Sequence, residues 1–197
     1  MTDDEALRDL LGSFRSSAWR LEALAQYTVP AEEATLGAFL RGATQRPHTA
    51  SFASFLDLLR SLPESGRTMG RVHAIAGPLT PYLRYEIEWS YVAAVEAGEN
   101  IRILHSPSWA ESPFGEQPPD FWLVDDASVA VMHYDEVGHW LGADFLTMPT
   151  DVAAYRRVRD LAVASSVPLT EYLAALRAAP VDPSPLLLHP ARGSPCR

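Results

Sequence analysis

Arg71-Val72-His73-Ala74-Ile75-Ala76 reads as a strand, apolar at most positions and free of breakers. Shortly after it, Thr80-Pro81 supplies a side-chain cap and then a proline at the first helical position. The helix this predicts runs to about Ala97 and stops at Gly98. Tyr82, Tyr85 and Trp89 fall on one side of it, and Arg84 and Glu88 form an i,i+4 pair on another. Ile101-Arg102-Ile103-Leu104 is the next strand. A strand, a helix and a strand in that order predict a right-handed βαβ unit, which sets the fold class as α/β with a mixed sheet.

Upstream, Leu7, Leu10, Leu11 and Phe14 recur at helical spacing after Asp3 or Asp4, and Ala18-Trp19-Arg20-Leu21-Glu22 alternates as a short strand. Tyr27-Thr28-Val29-Pro30 leads into a helix with Glu32 and Glu33 near its positive end and a stripe of Leu36, Phe39 and Leu40. A third helix, from about Ser51 to Arg60, carries Phe52, Phe55, Leu56 and Leu59. Downstream, residues 107–119 form a proline-containing loop, the kind of segment that often borders a site. Strands at Phe121-Trp122-Leu123-Val124, residues 129–134 and residues 140–145 then make an antiparallel meander. Helices from Asp151 and from Pro168 follow and pack around the sheet. Residues 1–178 are expected to form one globular domain, and 179–197 a flexible proline-rich tail.

With 197 residues, 47% hydrophobic and 21% charged, the chain is of ordinary globular composition. No apolar run is long enough to span a bilayer, the start is acidic rather than a basic secretory leader, and the only cysteine is Cys196. These features predict a cytoplasmic protein. The net charge of -9 argues against nucleic acid as a direct partner, and no membrane partner is expected. Arg156, Arg157 and Arg159 are the tightest basic cluster, most simply a solvated helix face. The chain contains no lysine, which removes Schiff-base chemistry and Walker-type phosphate binding.

Catalytic signatures are missing: there is no GxSxG, GxGxxG or GxxxxGK[ST] run, and no metal-binding HExxH or paired CxxC. No cofactor or metal is therefore expected. His133 shares a strand face with Val129 and Val131, and the short turn predicts Trp140 opposite it. His73 lies mid-strand, and a histidine among apolar neighbours is more often a satisfied core residue than a catalyst. Asp125-Asp126 is most simply a turn between strands. Tyr82, Tyr85 and Trp89 either line a pocket or fill the core.

Several segments together resemble an actinobacterial domain family of unknown function, often encoded beside helix-turn-helix regulators of the XRE type. They are residues 17–22 (SAWRLE), 27–30 (YTVP), 78–86 (PLTPYLRYE), 97–102 (AGENIR), 120–126 (DFWLVDD) and 132–135 (MHYD). His105-Ser106-Pro107 departs from the family pattern, where a proline-arginine pair is common. In order of elements the chain is also similar to phospholipase-D-like domains, which occur as catalytically dead sensors. Their catalytic form needs a His-x-Lys signature that a chain without lysine cannot supply.

The expectation is therefore a non-enzymatic regulatory or sensor module that binds a small ligand or a helix-turn-helix regulator. Its ligand-binding residues are expected to be Tyr82, Arg84, Glu86, Trp89, Arg102, Trp122 and His133. Arg84 and Arg102 would suit an anionic group. The alternative is a small tailoring enzyme of specialised metabolism, using Glu86, Asp125 and His133 as acid and base beneath the loop of residues 107–119.

Overall fold

Seven strands form one mixed sheet in the order β6-β5-β4-β1-β2-β3-β7. The computed structural model describes residues 2–105 and 107–178. The expected tail, 179–197, lies outside the described residues.

Helix α1 (Asp3–Gly12) opens on a capping box, in which Thr2 and Glu5 satisfy each other's backbone N–H groups. Strand β1 (Ser17–Glu22) takes the centre of the sheet. Helices α2 (Glu33–Leu40) and α3 (Ala50–Ser61) carry the chain to β2 (Thr68–Ile75), which runs parallel to β1. Helix α4, residues 81–96, then leads to β3 (Asn100–His105), parallel to β2. The βαβ unit read from the sequence is therefore present, and a second parallel crossover precedes it.

Antiparallel strands flank this parallel core. Strand β4 (Phe121–Val124) pairs with β1, and β5 (Ser128–Tyr134) and β6 (Trp140–Leu146) complete the meander. Helix α5 (Pro149–Ala164) follows, then the two-residue strand β7 (Val167–Pro168) on the far edge and helix α6 (Leu169–Ala178). The last helix thus starts just after Pro168, because that proline pairs with Arg102 at the sheet edge.

Alternation along the strands divides the core in two. One face carries Ala18, Met69, Ile101, Ile103 and Trp122 and packs against residues of α1, α3 and α4. The opposite face carries Leu21, Val72, Leu123 and Val131 and is covered by α5. Trp109 is buried in that second cluster, so the loop after β3 packs on the opposite face from α4.

Helix α4 is not uniformly α-helical. Thr80 caps it, accepting from Leu83 N at 3.1 Å, and Pro81 begins it as expected. From Glu86 to Tyr91 it widens to a π-helix and then returns to α over Val92–Glu96. The i→i+5 turn lets Glu86, Ser90 and Tyr91 share one buried side of the helix.

Candidate functional site

The inward positions of β1 and β2, on the α4 side, are charged where an ordinary core would be apolar. Arg20 and Glu22 alternate with Trp19 and Leu21, and Arg71 and His73 alternate with Val72 and Ala74. Because these strands are central, their polar positions are largely covered too. The Glu22 side chain is 3% exposed and that of Arg71 11%. Charges this deep persist only when paired.

Glu22 is the hub of the pairing. Arg20 Nη1 forms an ion pair with its Oε1 at 2.9 Å, and Arg71 Nη1 donates to its Oε2 at 3.0 Å. Tyr91 Oη, from the π segment, donates to Oε2 at 2.9 Å. Burial alone would raise Glu22, but the Arg20 and Arg71 guanidiniums overrule it and hold the carboxyl at about 2. Arg71 Nε also donates to Glu99 Oε1 at 2.7 Å.

His73 stands behind this hub, its Nδ1 2.7 Å from Tyr91 Oη and its Nε2 3.0 Å from Leu24 O. Burial lowers its pKa, so the ring is neutral. A carbonyl can only accept, so the single ring proton sits on Nε2, and His73 Nδ1 and Glu22 Oε2 compete for the one Tyr91 hydroxyl proton. The loop after β1 adds Tyr27, whose hydroxyl donates to Asp120. Asp120 also accepts from Ala23 N at 2.9 Å, and burial raises its carboxyl to about 6. Gly138, at φ +83°, brings the β5–β6 turn onto this loop: a Cβ there would meet Gln26 O at 2.5 Å. Its carbonyl accepts from Thr28 N at 2.9 Å.

Two hollows of about 210 and 250 Å³ open beside this network and share Val29, Glu32, Arg71 and Glu86 as walls. Glu86, 5% exposed, lines both, and its Oε1 has no hydrogen-bond partner among the described residues. Burial raises Glu86 to about 8, and the charges of Glu32 and Glu22 add to the effect. Burial also raises Glu32; Tyr82 Oη donates to its Oε2 at 3.1 Å and pulls the other way. Aromatic side chains line the hollows, among them Phe52, Phe55, Tyr82 and Trp140. Thr49 Oγ1 and Trp140 Nε1, buried without partners among the described residues, belong to the same walls. No group of three or more His, Cys, Asp or Glu among the described residues is arranged to hold a metal ion.

Of the residues singled out from sequence, Tyr82 and Glu86 come together here. Trp122 contributes from below, with the Arg20 guanidinium 5.5 Å from its ring. Trp89 packs against Phe39 and Tyr85, with ring centroids at 5.0 and 6.0 Å, in the aromatic cluster beside the hollows.

The other expected residues lie elsewhere. Arg84, its side chain 60% exposed, borders a different groove and sits 3.8 Å from Glu88. Arg102 bonds Ser166 through both its side-chain oxygen and its carbonyl, clamping the far edge of the sheet. His133 points away from α4 by alternation, on the face of Val129 and Val131 as expected, but a bulge between His133 and Tyr134 pairs Trp140 with Tyr134 and leaves His133 opposite Gly142. It is half-exposed and bonds Asp144 at 2.9 Å. Asp125 is part of a turn, at φ 55°, and its carboxylate caps the backbone of Arg15, Ser16 and Ser17. Glu86, Asp125 and His133 therefore do not form one acid–base constellation, and the loop of residues 107–119 does not close over the hollows. Asp126 likewise pairs with Arg159 and, at 3.8 Å, Arg156.

Arg20, Glu22, Tyr27, Arg71, Tyr91 and Glu99 were not singled out from sequence. The available signal was charge at period two in strands whose other positions are apolar.

The chain belongs to the family described as domain of unknown function DUF6879, whose model matches residues 5–174. A comparison with curated proteins finds no match. Every segment that carried the resemblance sends a residue into the buried network or its hollows: Arg20 and Glu22, Tyr27, Tyr82 and Glu86, Glu99, Asp120, and Tyr134, which accepts from Arg20 Nη2 at 3.0 Å. No described helix is long and apolar enough to cross a membrane.

Proposed function

We propose that this protein is a non-enzymatic sensor module that takes a small ligand in the hollows between α4 and the β1–β2 face. The observation that carries the reading is Glu86: a carboxyl buried to 95%, with an unpartnered oxygen, on a π-helical turn that walls both hollows. Buried polar atoms are nearly always satisfied, and convergent polar groups on aromatic walls are the usual make-up of a ligand site. π-helical turns occur often at functional sites. The network behind the hollows serves as a rigid floor, since each charge in it is already paired.

In this reading the protein is cytoplasmic and of actinobacterial origin, and it reports ligand binding to a helix-turn-helix regulator of the XRE type. Those three parts rest on composition and on the family resemblance. Catalysis by Glu86, Asp125 and His133 has no geometric support, because the three side chains lie apart.

Val29 lines both hollows and is 40% exposed, so Val29→Trp blocks the mouth at little expected cost to the fold. A fragment library screened by ligand-observed NMR should yield binders of the wild-type protein that Val29→Trp no longer binds. A screen in which no fragment distinguishes the two proteins would remove the proposal.

A further inference from the structure

We infer that the ligand carries a protonated amine, held between Glu86 and Glu32 among aromatic rings. The inference rests on the proposed ligand-binding role and specifies its chemistry.

The charges around the hollows do not balance. Arg20 and Arg71 are both committed to Glu22, and Arg71 also to Glu99. Asp120 accepts from Tyr27 and Ala23. Glu32 and Glu86 remain: Glu32 receives only the neutral Tyr82 hydroxyl among its described hydrogen bonds, and Glu86 Oε1 receives nothing. Arg46 lies on the same wall, its guanidinium 3.6 Å from the Phe52 ring centroid, and one positive charge offsets only part of this excess.

A buried carboxyl and a partly buried one facing the same space resist ionising together without a cation between them. In the free protein the conflict is met by protonation, and burial together with Glu32 raises Glu86 accordingly. A ligand ammonium meets it better, because it supplies both the charge and the N–H donors that Glu86 Oε1 lacks. Phe52, Phe55, Tyr82 and Trp140 then pack against the ligand's apolar part or face its charge. Binding an ammonium expels the Glu86 proton, so uptake of ligand and release of a proton are linked.

The test uses primary amines, phenethylamine and butylamine among them, each paired with its isosteric alcohol and the corresponding carboxylate. Binding to the whole protein is measured by calorimetry near neutral pH in two buffers of different ionisation enthalpy. Amines should bind about tenfold or more tighter than their alcohols, with a proton released to buffer. Glu86→Gln, an isosteric change, should erase the proton release and most of the preference, and Glu32→Gln should weaken the preference. Alcohols or carboxylates binding as well as amines, or a preference that survives Glu86→Gln, would overturn the inference and leave the ligand-binding role standing. If no probe of any charge binds in a manner sensitive to Val29→Trp, both readings fall.

Discussion

Arg20 and Arg71 stand directly opposite each other in the register of two parallel central strands, and both guanidiniums end on the Glu22 carboxylate. Side by side in a sheet, two like charges repel. Glu22, two residues beyond Arg20 on the same face, converts that repulsion into a bridge. Tyr91 adds a bond to Glu22 Oε2 and Glu99 one to Arg71 Nε.

Removing the hub should cost far more than replacing the whole bridge. Glu22→Gln leaves the Arg20 guanidinium without its counter-charge and Arg71 with Glu99 alone, and about 3–5 kcal/mol of stability should be lost. The quadruple variant Arg20→Met, Glu22→Leu, Arg71→Met, Glu99→Leu, which leaves no member of the bridge behind as an unpaired charge, should be less destabilised than Glu22→Gln alone. Urea denaturation of both measures the difference, and equal or reversed losses would contradict the pairing as described.

Glu86 should make the protein less stable as pH rises above neutrality. Its folded pKa, about 8, exceeds the ordinary 4.5, so the folded state holds a proton that the unfolded chain has released. The stability this provides is full below about pH 4.5 and fades as pH climbs through 8. The facing groups are Glu32, Glu22, Arg71, Arg46, Tyr82, Tyr91 and Ser90. Neutral His73 opposes the trend only below its ordinary 6.5, so the clean window lies between pH 6.5 and 8. There stability should fall by at most about 1.4 kcal/mol per pH unit. Glu86→Gln should flatten that slope, as followed by denaturant midpoints at several pH values.

Asp125 should prove to be a turn fastener. Against the opposing effect of burial, the backbone N–H groups of Ser16, Arg15 and Ser17 together hold its carboxyl at about 2. Asp125→Ala removes these bonds and keeps the left-handed backbone, for a loss of about 1 kcal/mol, moderated by the turn's exposure. Fragment binding in the hollows should be unchanged; a loss of binding would return Asp125 to the site.

His133 and Arg102 separate in the same way. His133→Ala, on the solvated face, should shift stability by no more than about 0.5 kcal/mol. Arg102→Ala breaks two bonds to Ser166 and should cost about 1–2 kcal/mol, with faster amide exchange in α6. Neither should alter fragment affinity.

The sequence by itself determined the elements and their order. Thr80-Pro81 and Gly98 marked the ends of α4, the apolar runs marked β2 and β3, and strand–helix–strand order required a parallel pair. These signals are local: a cap, a proline, a period of two. Tyr82 and Glu86 were legible too, because they sit on the helix whose reading set the fold class. Only the tertiary structure decided which strands are central, and that decides which charges are buried. Arg20 and Glu22 alternate as they would on a half-solvated edge strand, yet β1 lies between β4 and β2 beneath α4. The π turn at Glu86 and the bulge that sets Trp140 opposite Tyr134 depend in turn on what packs against them. A charge in a strand carries no local mark of its depth, since burial is a property of the neighbours brought to it from far along the chain.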